Sequence, residues 1–329
     1  MLFKIAEEQV RQAGLPGVSF GLPRRLAGLR AVVMLAGSVR ANQLRKSTGR
    51  SALELPVGDN RTVLDCWREQ LVTMAEQLGM DRLPVRVIVD RASGMVPGES
   101  GYGPLSLSIE HEPGAFRGTG GLLSDLAAGY RDDDLVMVGH ASQLLFEPLA
   151  ELAGAMADAG ADVSLVCSRD GTPAGLMLVR CGALRKINPV GFVDLNEQAL
   201  PAIARDHDVR VVRYDQPISR SLRTRAGYLE TLGAFHRRHA GAGADAASRP
   251  EEDWHKTFGV VEPGARVHAT AVVHDSVVLG GAVVEAGAVL VRCVVCPDAV
   301  VGRDVSAMDR VVGRAPRAAG FGPDVSESD

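Results

Sequence analysis

From Val261 to Ser306 the chain divides into short units, VEPGAR, VHATAV, VHDSVV, LGGAV, VEAGAV, LVRCVV, CPDAV and VGRDVS. Most open on an aliphatic residue and carry a small one near the fourth place. A period of six suits neither an α-helix nor a simple strand. It predicts a parallel β-helix, in which each unit forms one side of a triangular coil and neighbouring coils bury a shared interior. A stack of antiparallel hairpins would instead show period two and turn dipeptides, which are absent. Two five-residue units, 279–283 and 296–300, break the strict register.

Upstream, from Arg30 to about Arg238, short apolar runs alternate with amphipathic stretches. This is the pattern of a parallel sheet covered by helices. Strands are predicted at 31–36, 85–89, 105–110, 135–139, 162–167, 175–180 and 209–214, and helices at 62–79, 120–130, 145–160 and 195–206. Thr62 reads as an N-cap and Gly79 as a helix stop. The expected organisation is an N-terminal helical extension (1–29), an α/β domain (30–239), a linker (240–252), the β-helix (253–313) and a disordered tail (314–329). The linker contains AGAGADAASRP, which has neither apolar period nor bulk. A chain of 329 residues is also long enough for two cores.

The formal charge of -4 gives no electrostatic reason to expect nucleic acid or an anionic membrane as partner. Arg24, Arg25 and Arg30 read as solvated charges flanking the first strand. The five cysteines are odd in number and irregularly spaced, unlike a secreted disulfide framework, so a reducing cytoplasm is expected. No apolar run reaches the length of about 20 residues that spans a bilayer, and MLFKIAEEQVRQAG reads as an amphipathic helix rather than a signal peptide.

Residues 31–58, AVVMLAGSVRANQLRKSTGRSALELPVG, run an apolar strand into a glycine turn and then a basic, polar loop of about twenty residues. In an open α/β sheet such a loop lies outside the carboxyl ends of the strands, where ligands bind. Leu35-Ala36-Gly37 and Leu53-Glu54-Leu55-Pro56-Val57 resemble the two ends of the nucleotide loop of sugar-nucleotide pyrophosphorylases, and Val63-Leu64-Asp65-Cys66-Trp67 resembles the start of their first helix. Glu112 to Gly121 resembles their Gly-Thr-Ala-Gly turn, Gly191 to Pro201 their late helix entry, and Tyr228-Leu229 their closing helix. The ordered set, over roughly residues 30–310, is similar to mannose-1-phosphate guanylyltransferases and ADP-glucose pyrophosphorylases. It implies a Rossmann-like nucleotidyltransferase domain with a mostly parallel sheet, followed by a short left-handed parallel β-helix of hexapeptide repeats.

The resemblance also implies a chemistry: in-line attack of a sugar 1-phosphate on the α-phosphorus of a nucleoside triphosphate, with Mg²⁺ and cationic side chains neutralising the charge. The family uses a glycine-rich loop, a late lysine and two aspartates. Here only Gly37 of the glycines survives, and the lysine falls near Ala52. His140, after Leu135-Val136-Met137-Val138-Gly139, stands where the first aspartate belongs, and Ser221 stands for the second. Histidine is a poor ligand for a hard ion that prefers oxygen. Asp132, Asp133 and Asp134 read as a solvated turn rather than a substitute. The segment Ser168 to Ala174 is too short to hold the pair of strands that contacts the sugar in relatives.

What remains for a nucleotide is Gly37, Arg40, Arg45 and Lys46 toward phosphate, and Gly118, Thr119 and Gly120 toward the base. The expected protein is therefore a divergent family member with lost or weak catalysis that binds a nucleotide or sugar nucleotide. A regulatory or scaffolding role in a homo- or hetero-oligomer fits the same pattern, and no cofactor is expected. Two alternatives stay open at this point. One is an active sugar-1-phosphate nucleotidyltransferase using Mg²⁺. The other is a hexapeptide-repeat acyltransferase, for which His268 and His274, six apart, would stack on one β-helix face. Cys293 and Cys296 read as interior packing, and His236 and His239 as the exposed end of the last helix.

Overall fold

Ala31 to Leu35 are buried without interruption, so this strand is covered on both faces, as only an interior strand of an α/β sheet is. The computed structural model describes residues 21–36, 43–91, 93–112, 117–187, 191–240 and 257–313. The chain divides into two compact units between 254 and 255. The N-terminal amphipathic helix, the tail after 313 and all of the linker but Ala240 lie outside the described residues.

The first unit is built on an eight-stranded sheet. We label its strands β1 (Leu29–Leu35), β2 (Leu83–Val89), β3 (Gly98–Tyr102), β4 (Leu105–His111), β5 (Leu135–His140), β6 (Val163–Ser168), β7 (Pro173–Arg180) and β8 (Val209–Tyr214). Their spatial order is β8-β6-β7-β5-β1-β2-β4-β3. All run parallel except β3 and β7. Strand order reverses at β1, which hydrogen-bonds β2 on one side and β5 on the other. That is a topological switch point, the place at which open α/β sheets bind ligands outside the carboxyl ends of their strands.

Helices cover both faces. Helix α1 (Val63–Gln77) is opened by Thr62, whose hydroxyl accepts from the Asp65 amide while Asp65 accepts from the Thr62 amide, and Gly79 follows its end. Its Trp67 and Met34 of β1 both crowd Gly139, where a Cβ would stand 3.4 and 3.0 Å from them. Helix α2 (Gly118–Ala127) packs Leu122, Leu123 and Leu126 on the opposite face, against Val33, Val136 and Val138. Helix α3 (Leu149–Asp158) and the last helix, α4 (Arg225–Ala240), complete this layer structure. Tyr228 of α4 is buried and donates its hydroxyl to the Pro56 carbonyl, tying the closing helix to the end of the 36–58 segment.

The predicted strands all form, and four features differ from expectation. The edge strand β3 was unforeseen, because GESGY is exposed throughout and has no apolar alternation; the hairpin to β4 makes it. The basic segment is not one loop. Gln43–Thr48 is helical with Leu44 buried, and Ser51 and Glu54 close a capping box on a single turn at Ala52–Glu54. The 195–206 helix starts as a π-turn, Leu195–Ala199, before Leu200–Ile203. Pro201, which has no N–H to give the ladder, sits at that junction. The Asp132 to Asp134 run is not simply solvated either. Asp134 is buried, accepts from the Arg131 amide and the Arg30 guanidinium, and is held below the usual carboxylate range by them. Arg30 and Arg25 are thus ion-paired, Arg25 with Asp158.

In the second unit short parallel strands form three sheets, one of four strands and two of three. The chain visits the sheets in rotation, and paired strands are 17 residues apart: Gly259 with Ser276, Arg266 with Val283, Val272 with Val289. Val278, Val284, Leu290, Cys293 and Cys296 fill the interior. Because residues stack at 17 and not at six, His268 and His274 fall on different sides, bonded to Thr270 and paired with Asp275 respectively.

Among the described residues no helix is long and apolar enough to cross a membrane. All five cysteines are buried free thiols, and burial pushes those of Cys66 and Cys181 up to about 11.

Replacing Tyr228 by Phe strands the Pro56 carbonyl without its donor and should cost about 1–2 kcal/mol in urea unfolding. An unchanged midpoint would show that the tie between α4 and residue 56 carries no stability.

Candidate functional site

The carboxyl ends of β1, β2 and β5 converge at the switch point. The Ala36 amide donates to Ile88 at 2.8 Å and the Ala141 amide to Leu35 at 3.1 Å, so the three strands leave the sheet side by side. Gly37 and Arg40 lie outside the described residues. Arg45, on the short 43–48 helix, donates to Asp90 at the end of β2 at 2.7 Å. Its charge is therefore matched by a carboxylate. Lys46 is exposed on the same turn. Beyond β4, burial and the Asp90 charge push the Glu112 carboxyl above its ordinary range.

Gly118, Thr119 and Gly120 face a different neighbour, the 191–200 segment. Gly118 has φ +67°, and a Cβ there would stand 2.5 Å from the Val193 carbonyl oxygen. Gly120 donates its amide to that same oxygen at 2.9 Å, and Thr119 accepts from the Leu195 amide at 3.1 Å. The glycines let one backbone lie directly on another.

His140 and Ser221 come together. Residues 219–221 form a small antiparallel pair with 143–145, Ser221 opposite Gln143, and the Leu222 amide donates to Ser142 at 2.8 Å. Arg223 then reaches back, its Nε 3.4 Å from the Ser142 hydroxyl. His140, Gln143, Ser221 and Arg223 all line one cavity of about 1060 Å³ in the first unit. Gly175 of β7 makes room for them: its φ is +72°, and a Cβ would lie 2.8 Å from Gln143 Cγ and 3.1 Å from His140 Cβ. The turn joining β6 to β7 is tight, closed by the Ser168 amide to Thr172 at 2.9 Å and capped by Asp170.

Burial, reinforced by the Arg223 charge and opposed by Asp194, lowers the His140 pKa from 6.5. The ring is thus neutral at neutral pH. A neutral imidazole is a poor ligand for Mg²⁺, and the Gln143 amide and Ser221 hydroxyl, though oxygen donors, bring no negative charge to hold the ion. Asp194 is the nearby carboxylate, and its side chain is taken up by the Asn196 and Glu197 amides. The corner is instead equipped to hold a polar or anionic ligand through hydrogen bonds and the Arg223 charge.

Sequence reasoning found His140 and Ser221 but assigned nothing to Gln143, Gly175 or Arg223. Arg223 lies two residues past Ser221, in the bend between the 219–221 strand and α4, where no strand alternation marks it. Nothing in the sequence marks Gln143. Compared with models of known protein families and with curated protein sequences, the chain matches none.

A histidine that the fold keeps neutral binds its proton more readily once unfolded. Its contribution to stability is therefore complete above the ordinary value of 6.5 and is lost as pH falls below it. His236 shifts in the same direction. His140→Gln should flatten part of the fall in the urea midpoint below pH 6.5, and the His140 ring resonance should titrate below that value. Titration above 6.5 would contradict the burial argument.

Proposed function

We propose that this chain is a divergent relative of the sugar-nucleotide pyrophosphorylases that binds a nucleotide or sugar nucleotide at the switch-point crevice, with catalysis lost or weak. In this reading the first unit is a Rossmann-like nucleotidyltransferase domain and the second a left-handed parallel β-helix of hexapeptide repeats. The observation that carries it is the meeting of His140 and Ser221 on one cavity wall. These are the two positions at which the resemblance calls for aspartates, and they lie far apart in sequence. A chance likeness of short motifs would have no reason to bring them together.

In this reading the same corner accounts for lost or weak catalysis. Nucleotidyl transfer needs the charge on the leaving pyrophosphate to be neutralised as the bond breaks. The residues at both metal positions do not fit Mg²⁺, and Arg45 is already matched by Asp90. Arg223 and Lys46 can attract a phosphate, and binding without turnover is the consequence. For the second unit, support comes from the rotation of the chain through three parallel sheets around an aliphatic interior.

A thermal-shift panel of nucleoside triphosphates and sugar nucleotides, run beside a pyrophosphate-release assay with several sugar 1-phosphates and Mg²⁺, tests this. A ligand at a hundred times its Kd should add about 2.7 kcal/mol, or roughly 5 °C in Tm, with no pyrophosphate released. His140→Asp combined with Ser221→Asp should make that shift depend on Mg²⁺. Turnover at ordinary enzymatic rates, on the order of 10 per second, by the unaltered protein, or no shift with any nucleotide, would defeat the proposal.

A further inference from the structure

The cavity that holds His140 and Arg223 at one corner extends well beyond them, and its floor is not polar. Strand register defines that floor. Val211 of β8 pairs with Leu165 of β6, Leu165 with Met177 of β7, and Met177 with Val138 of β5. The four side chains make one row across four strands, and all of them line the cavity. Three inter-strand spacings set the length of the row at roughly 14 Å. Leu195 and Leu200, from the π-turn and the helix after it, line the cavity as well. A volume of about 1060 Å³ is ample for a small organic ligand.

This lining is ill matched to a sugar. A hexose presents hydroxyls all round, and each one placed against an aliphatic floor loses its water without gaining a partner. The tight turn between β6 and β7 supplies no polar strand pair to compensate. Charge is concentrated at the ends. At the far end Arg210 is paired with Asp208 at 2.7 Å and His207 with Asp162 at 3.2 Å, and Arg205 is exposed beside Asp206. At the near corner Arg223 has no carboxylate partner among the described residues, and the His140 ring makes no hydrogen bond to any of them. An anion placed there would find a cation and an imidazole without displacing an existing ion pair.

We infer that this cavity is a binding site for an amphipathic organic anion, its apolar body lying along the Val138-Met177-Leu165-Val211 row and its anionic group at Arg223 and His140. The site is distinct in chemistry from a sugar phosphate site and needs no nucleotide. Val138, Met177 and Val211 are already buried and give the floor its shape; apolar contact with the half-buried Leu165, Ala204 and Val209 is the source of affinity, and the Arg223 corner fixes orientation.

The probe is 8-anilinonaphthalene-1-sulfonate, an aryl sulfonate whose emission rises on apolar burial, with decanoate and glucose 1-phosphate as competitors on the full chain. Saturable binding at one site per chain is expected, with displacement by decanoate and none by glucose 1-phosphate. Arg223→Ala, at an exposed position, should weaken the probe about tenfold, whereas Arg205→Ala should change it less than twofold. Leu165→Asn should abolish binding in a protein whose circular dichroism is native. Displacement by glucose 1-phosphate but not by decanoate would overturn the inference in favour of a polar site. Binding that ignores Arg223→Ala, or that follows Arg205→Ala instead, would overturn it too. Because the assay contains no nucleotide, it separates the two proposals: probe binding without any nucleotide shift sinks the nucleotide reading alone, and the converse sinks this one.

Discussion

The first unit depends on the burial of β1 on both faces. A strand with no solvent face must give up every backbone hydrogen bond to neighbours, and β1 does so to β2 and β5 together. Because one neighbour follows it closely in sequence and the other comes much later, the chain must reverse its direction of travel across the sheet at this strand. The crevice at the carboxyl end is therefore a consequence of packing before it is a site. Around it the sequence places His140 at the end of β5 and the short 43–48 helix, whose Arg45 bonds Asp90 at the end of β2.

The residues of the His140 corner depend on one another. His140 is kept neutral by burial and by Arg223, and Gly175 is the backbone position that admits both His140 and Gln143. A carboxylate at 140 would have met the same burial with a charge, and would have needed a cation to hold it. The neutral imidazole needs none. The corner thus combines a neutral imidazole with the Arg223 charge, while Arg45 is paired with Asp90 at the end of β2.

Most of the fold was legible because its strands are buried runs of β-branched residues and its main helix carries a Thr62-Asp65 capping box. Where local sequence lacked such a cause, it misled. Gly98 to Tyr102 becomes a strand only because β4 offers a free edge. Asp134 looked like one of three solvated acids, yet the turn folds it back onto its own Arg131 amide and onto Arg30 across the sheet edge. The cavity was not legible for the same reason: the sequence offers His140 and Ser221 only as replacements where the resemblance calls for aspartates, and the apolar row on the cavity floor is made of residues that read as ordinary core. Whether a buried-looking valine faces a helix or an open cavity is decided by what covers the sheet.

The second unit shows how a sequence period can be real and still differ from the structural one. Two units of six and one of five complete a circuit of 17 residues, so the short units at 279–283 and 296–300 are the register and not a break in it. They fall at a corner where Gly264, Gly281 and Asp298, successive at 17, all have positive φ. A second corner, Asp275, Arg292 and Asp309, does likewise. Glycine and aspartate tolerate the left-handed region, and arginine does so only at a cost. Arg292 is the exception that the stack supports, since its guanidinium bonds both carboxylate oxygens of Asp309 at 2.8 and 2.6 Å one circuit further on. An interaction between circuits thus offsets strain within one, which no reading of hexads in isolation could have anticipated.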